Sequence, residues 1–175
     1  VAHENVRVRL SGGPAGALPV LTFRDAVTFH QNGDDIHVFH VANAHTDGDS
    51  VVHFRNANVI HMGDTFFGGR YPFIDVGSGG SIAGAIAAVD EVTPLIDSDT
   101  KIIPGHGPLS GPGDLRHYRA VLTTCRDRVQ ALIDAGTSRE DAIAAKPNAD
   151  YDDEWGGGFI NPDRWVGSLY DSLTQ

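Results

Sequence analysis

Only one cysteine, Cys125, occurs in the 175-residue sequence, so no intramolecular disulfide and no cysteine-based zinc cluster can form. Long apolar runs are missing as well: nothing approaches the ~18 apolar residues that a membrane-spanning helix needs. Positive charge is scarce. Against 23 Asp and Glu stand 13 Lys and Arg, giving a net charge of −10 and a pI near 5.1. No basic stripe is available to meet phosphates, which argues against a nucleic-acid partner. No signal peptide, internal repeat or low-complexity tract is visible. The first residue is Val1 rather than Met, which predicts a processed or truncated start. A soluble protein of the bacterial cytoplasm or periplasm is expected, with the compartment left open; its 175 residues predict one domain over 1–175, and no membrane partner is expected.

Hydrophobic patterning supplies the elements. Glu4–Leu10 reads as a short helix and Ser11–Pro19 as a Gly/Pro-rich loop before a candidate strand at Val20–Phe23. Two β-rich runs, Ala26–Gln31 and Asp35–Val41, are joined through Asn32-Gly33, a strong hairpin signal. Ser50–Phe54 and Asn58–Met62 form a second pair around Asn56-Ala57. Ile82, Ala85, Ile86 and Val89 recur at helical spacing in Ser81–Ile96, with Pro94 near its end. Lys101–Ile103 is a short buried-type strand. Leu115–Ala135 is the longest helix, stopped by Gly136, and contains Cys125 as a small packed residue. Thr137 and Glu140 spell a capping box for a helix to about Ala145, Tyr151–Asn161 is Gly- and aromatic-rich, and Pro162–Leu173 is a terminal helix. Strands first and helices later predict an α+β fold: a mixed, mostly antiparallel sheet with helices on one face.

Three stretches carry chemistry: AHTDGD at Ala44–Asp49, HMGD at His61–Asp64 and PGHGP at Pro104–Pro108. Each sets a metal-competent side chain (His45, Asp64, His106) at the end of an apolar strand-like run, where loops can gather ligands at one sheet edge. Imidazole and carboxylate suit zinc, and also manganese or iron. His30, His37, His40 and His53 lie in strand patterns and read as packed or surface residues; His3 and His117 have no supporting context. His61 sits close enough to orient a ligand. The DVGSGGS stretch lacks the lysine and spacing of a phosphate loop, and its resemblance to a nucleophile elbow is weak. It reads better as a substrate-facing loop, walled by Phe66, Phe67, Tyr71 and Phe73.

The ordered set AHTDGDSVV, VIHMGD and IIPGHGP resembles the carboxy-terminal half of the metallo-β-lactamase superfamily, over nearly the whole chain. The resemblance implies one half of an αβ/βα sandwich. It implies that His45 is the third histidine of the first metal site, Asp64 the carboxylate bridging both metals, and His106 the last histidine of the second. The activity implied is hydrolysis of an ester, thioester, lactone or β-lactam by metal-held hydroxide, with Asp64 at the catalytic centre. The family's H-x-H-x-D-H signature is absent, since no pair of histidines stands two apart. His37 and His40, three apart on a strand, point to opposite faces and cannot chelate one ion. AHENVRVRL resembles the stretch that follows the signature, so the sequence is expected to begin just downstream of it. Of about seven ligands implied, three are present, and a catalytic zinc uses at least three of its own. The chain alone is therefore expected to hold metal loosely and work poorly, if it is not a non-catalytic metal-binding or assembly half-domain. Without its partner half it would expose an apolar sheet face, which predicts a homodimer or association with the missing amino-terminal half.

Overall fold

A computed structural model describes all 175 residues. Strand β1 (Ala2–His3) runs into helix α1 (Glu4–Arg9) and pairs in parallel with β2 (Thr22–Phe23), shorter than expected because Val20 and Leu21 are exposed. The main sheet has five strands in the order β3 (Ala26–Gln31), β4 (Asp34–His40), β5 (Ser50–Phe54), β6 (Val59–Phe67) and β7 (Lys101–His106). The first three pairings are antiparallel and β6–β7 is parallel, which is the predicted mixed, mostly antiparallel sheet. Asn32 and Gly33 turn the β3–β4 hairpin with φ of 54° and 78°, the doubly positive geometry that its two-residue loop requires.

Register decides which face is core. Val51, Ile60, Met62 and Ile102 share one face and are fully buried. Helices α2 (Ile82–Val92) and α3 (Pro112–Asp134) pack there against β6; α4 (Arg139–Ala144) and α6 (Pro162–Leu173) pack with α3. The opposite face carries Val27, Phe29, Ile36, Val38, Val52 and Phe54, all half-exposed, with only the amino-terminal β1–β2 segment over one end.

Several elements differ from expectation for identifiable reasons. The α2 helix ends at Val92 and passes into a 3-10 turn at Thr93–Leu95, where Pro94 offers no N–H to continue it. The cap of α4 is Ser138, whose hydroxyl accepts from the Asp141 amide, so the cap sits one residue beyond the expected Thr137 and no box with Glu140 forms. Helix α5 (Ala149–Trp155) has no apolar period to betray it. Tertiary contacts hold it instead: Trp155 is 1% exposed, Asp150 pairs with Arg128, and Asp152 accepts from the Tyr71 hydroxyl. Cys125 is fully buried, and burial pushes its thiol up to about 11.

Three histidines give the fold an acid sensitivity. His3 stacks on His40 with ring centroids 3.7 Å apart, and His37 faces His53 across β4–β5. Burial lowers the pKa of His3, His37 and His53 below the usual 6.5, helped by His40 at His3 and by Arg55 at the other two. The unfolded chain therefore takes up these protons more readily, so stability is full above about pH 6.5 and falls as pH drops below it. Urea unfolding midpoints should decline between about pH 7 and pH 5. Replacing His37 and His53 by glutamine should flatten that decline; an unchanged slope would remove this account.

Candidate metal centre

Asp64 is displayed by an irregularity in the sheet. Gly63 pairs with Pro104 and Phe67 with His106, so the three residues between on β6 face a single residue, Gly105, on β7. The bulge throws the Asp64 carboxylate outward beside His106, and β6 runs on to Phe67, past the strand end expected at Asp64. Gly105 is required by this crowding. A Cβ there would overlap Asp64 Oδ1 and the Gly63 carbonyl group. His61 spans the same distortion, its Nδ1 accepting from the Gly63 amide at 3.0 Å. Its visible task is therefore to hold the bulge backbone.

His45 stands on the loop after β4, and a set of polar contacts fixes that loop. One Asp49 oxygen accepts from the His45 and Thr46 amides at 2.7 and 2.9 Å, and the other from the Thr46 hydroxyl at 2.7 Å. From α1, Arg9 forks onto Asp47 at 2.7 and 2.8 Å, which holds that carboxyl below the usual carboxylate range. The DVGSGGS stretch lies beneath: Asp75 N–H donates to the His45 carbonyl at 2.9 Å, and Gly80 approaches so closely that a Cβ would strike that carbonyl. Thus the glycine-rich loop supports a ligand loop, a role visible only from its packing.

The imidazole of His45 is oriented as a metal ligand would be. Its Nδ1 meets the Phe73 carbonyl at 2.7 Å, which turns Nε2 inward toward Asp64. His45 Nε2 lies 3.7 Å from Asp64 Oδ2, and His106 Nε2 lies 3.4 Å from Asp64 Oδ1. The three side chains converge, with each imidazole facing a different oxygen of one carboxylate. No group of three or more His, Cys, Asp or Glu side chains is arranged around one point to hold an ion. The two facts agree physically: one histidine facing each carboxylate oxygen makes two separate donor pairs and not a group of three around one point.

A cavity of about 200 Å³ opens over these groups, lined also by Phe67, Arg70, Tyr71, Phe73, Phe159 and Ile160. Phe67 stacks on the His106 ring at 4.8 Å. Tyr71 reaches the cavity but is otherwise core, stacked on Trp165 at 5.1 Å with its hydroxyl on Asp152. Phe66 packs edge-on against Tyr118 and lines a different cavity. Arg70, Phe159 and Ile160 were not singled out by sequence, since a loop arginine and an aromatic forty residues beyond His106 carry no motif.

Comparison with solved structures gives the same architecture. A metallo-β-lactamase from Pontibacter korlensis superposes with TM-score 0.58 at 17% identity, over 69% of this chain and 56% of that one. The BLEG-1 B3 metallo-β-lactamase gives 0.53 at 25% identity, over 70% of this chain and 64% of that one. This chain carries half of the metallo-β-lactamase fold. The sec-alkyl sulfatase PisA1, as a double mutant, shares that fold with TM-score 0.66 at 14% identity, over 90% of this chain but 27% of its own length. The chain thus spans little more than half of the first metallo-β-lactamase and under two thirds of the second. No family model matches the sequence, and no curated protein matches it either. No helix is long and apolar enough to cross a membrane.

Proposed function

We propose that this metallo-β-lactamase half-fold is the carboxy-terminal portion of a metal-dependent hydrolase acting on an ester, thioester, lactone or β-lactam. The observation that carries the reading is the convergence of His45 Nε2 and His106 Nε2 on opposite oxygens of Asp64. Those three residues would hold divalent ions, zinc by preference for imidazole and carboxylate. Bound there, the ion supplies Lewis acidity toward the electrophilic centre of the substrate. The chain's own residues do the rest. Phe73 and Asp49 hold the His45 ring and loop, the bulge presents Asp64, and Phe67 braces His106 against rotation.

A second reading is favoured by the ligand count: a metal-binding or assembly half-domain without turnover of its own. Hydrolysis assays on esters, thioesters, lactones and β-lactams, after loading with zinc or manganese, separate the two. Metal-dependent turnover that vanishes in His106→Ala supports the hydrolase. Metal binding with rates equal to buffer leaves the half-domain.

The half-exposed sheet face supports a partner proposal. Val27, Phe29, Ile36, Val38, Val52 and Phe54 form a contiguous apolar surface of a kind soluble monomers rarely leave bare. A second β layer covers it in the working protein, and in the isolated chain a second copy supplies that layer. Light scattering should therefore give a mass above the 18.7 kDa of one chain. Val38→Lys with Val52→Lys should return it to monomer without loss of helical signal. A stable wild-type monomer at high concentration would rule the proposal out.

A further inference from the structure

The loop that carries His45 is held from outside by helix α1. Asn5 Nδ2 donates to the Asp47 carbonyl at 2.7 Å, and the Arg9 fork closes on the Asp47 carboxylate. Val6 lies so close to Gly48 that a Cβ on Gly48 would meet its side chain at 2.8 Å. The glycine-rich loop grips the same residue, through the Asp47 amide on the Ser78 carbonyl at 3.0 Å. The Asp49 carboxylate, by contrast, ties the loop only to itself.

Helix α1 has little of its own to keep it in place. It spans six residues, none of them buried, which is far below the length at which a helix is stable alone. Its N-cap is His3, whose Nδ1 accepts from the Asn5 amide at 3.3 Å. That bond needs a neutral ring, because both nitrogens of an imidazolium are donors. The same ring stacks on His40 with centroids 3.7 Å apart and planes 8° from parallel, a geometry that two positive charges would repel. Glu4 on α1, Asp47 on the loop and the Arg24 backbone after β2 favour the charged ring, and the Arg24 guanidinium is itself paired with Glu4. Burial first and His40 second outweigh them and hold the His3 pKa below 6.5.

Resting on the reading of His45 as a metal ligand, we propose that Asn5 and Arg9 are its positioning residues, and that acid withdraws them by protonating His3. Above about pH 6.5 the ring is neutral, the cap is made and the His45 loop is pinned. As pH falls below that, the cap is lost, α1 frays, and Asp47 and Gly48 lose their hold. The ligand loop is thereby coupled to pH through a group outside the cavity it serves.

Amide hydrogen exchange on the metal-free chain tests this, with α6 amides reporting whether the whole chain stays folded. At pH 7.5, Asn5→Ala with Arg9→Gln should lower protection of the Asp47 amide at least about fivefold and shift the His45 ring resonances, with α6 unchanged. Arg9→Gln alone should move both in the same direction, and Arg9→Lys should stay closer to wild type. In the unaltered chain, pH 5.5 should release the loop beyond the intrinsic pH dependence of exchange. His3→Asn, which still caps a helix but does not titrate, should prevent that release. Zinc affinity at pH 7.5 should fall in the double variant. Unchanged Asp47 protection and His45 resonances there overturn the positioning role, and acid release that persists in His3→Asn overturns the part given to His3. Because exchange and ring resonances need no metal, zinc that fails to bind the unaltered chain would overturn the hydrolase reading and leave this one standing.

Discussion

On the proposed reading, Asp64→Asn should lower zinc affinity by at least about a hundredfold, because changes outside the ligand shell already cost 10–100-fold and Asp64 would be the shared ligand itself. The carboxylate faces both imidazoles, at 3.7 and 3.4 Å, so its loss would leave neither proposed metal position with an acidic donor. The amide keeps the shape and can still offer one neutral oxygen, but not the charge that two divalent ions demand. His45→Ala and His106→Ala each remove a donor from one side and should leave partial binding. Calorimetric titration with zinc orders the three variants. Equal losses for all three would mean one site shared by the whole set, and an unaltered Asp64→Asn would exclude the bridging role. Urea unfolding should be nearly unchanged in Asp64→Asn, since the side chain is 40% exposed and makes no hydrogen bond that the fold needs.

Gly105→Ala should destabilise the chain by about 3 kcal/mol, the upper range for forcing a methyl into filled space. The added Cβ would collide with Asp64 Oδ1 and with the Gly63 peptide, and the Gly63 peptide cannot retreat without undoing the bulge between Gly63–Pro104 and Phe67–His106. Metal affinity falls in the same variant, because the carboxylate is the softer of the two obstacles and moves first. Combining Gly105→Ala with Asp64→Gly should recover part of the stability, which marks the two positions as coupled. The Gly63 clash limits that recovery. Chemical denaturation of the single and double variants measures it. Wild-type stability in Gly105→Ala would show that the bulge tolerates a side chain and that Asp64 is not held by it.

Much of the strand layer was legible because its signals are local. Asn32-Gly33 fixes a hairpin by backbone sterics alone, and alternation in Ser50–Phe54 reports one buried face. Helices α2, α3 and α6 showed an apolar period along their length. Helix α5 did not, since Trp155, Asp150 and Asp152 are anchored by partners far away in sequence. At the site, His45, Asp64 and His106 could be named from strand-end motifs, while the contact that aims His45 comes from the carbonyl of Phe73, 28 residues on. Arg70 and Phe159 join the same cavity only after the chain has folded across it.

By itself, then, the sequence determined the order of the His- and Asp-bearing strand-end motifs, the mixed sheet and the absence of an H-x-H-x-D-H signature. Periodicity, turn chemistry and residue type are properties of short windows, so they survive without coordinates. Tertiary structure alone decided that Asp64 sits in a bulge opposite Gly105 and that each imidazole takes a different carboxylate oxygen. It also decided that Arg70 reaches the site without an acceptor from the protein. Those facts depend on register between strands and on loops packed from distant segments, and no local window contains either.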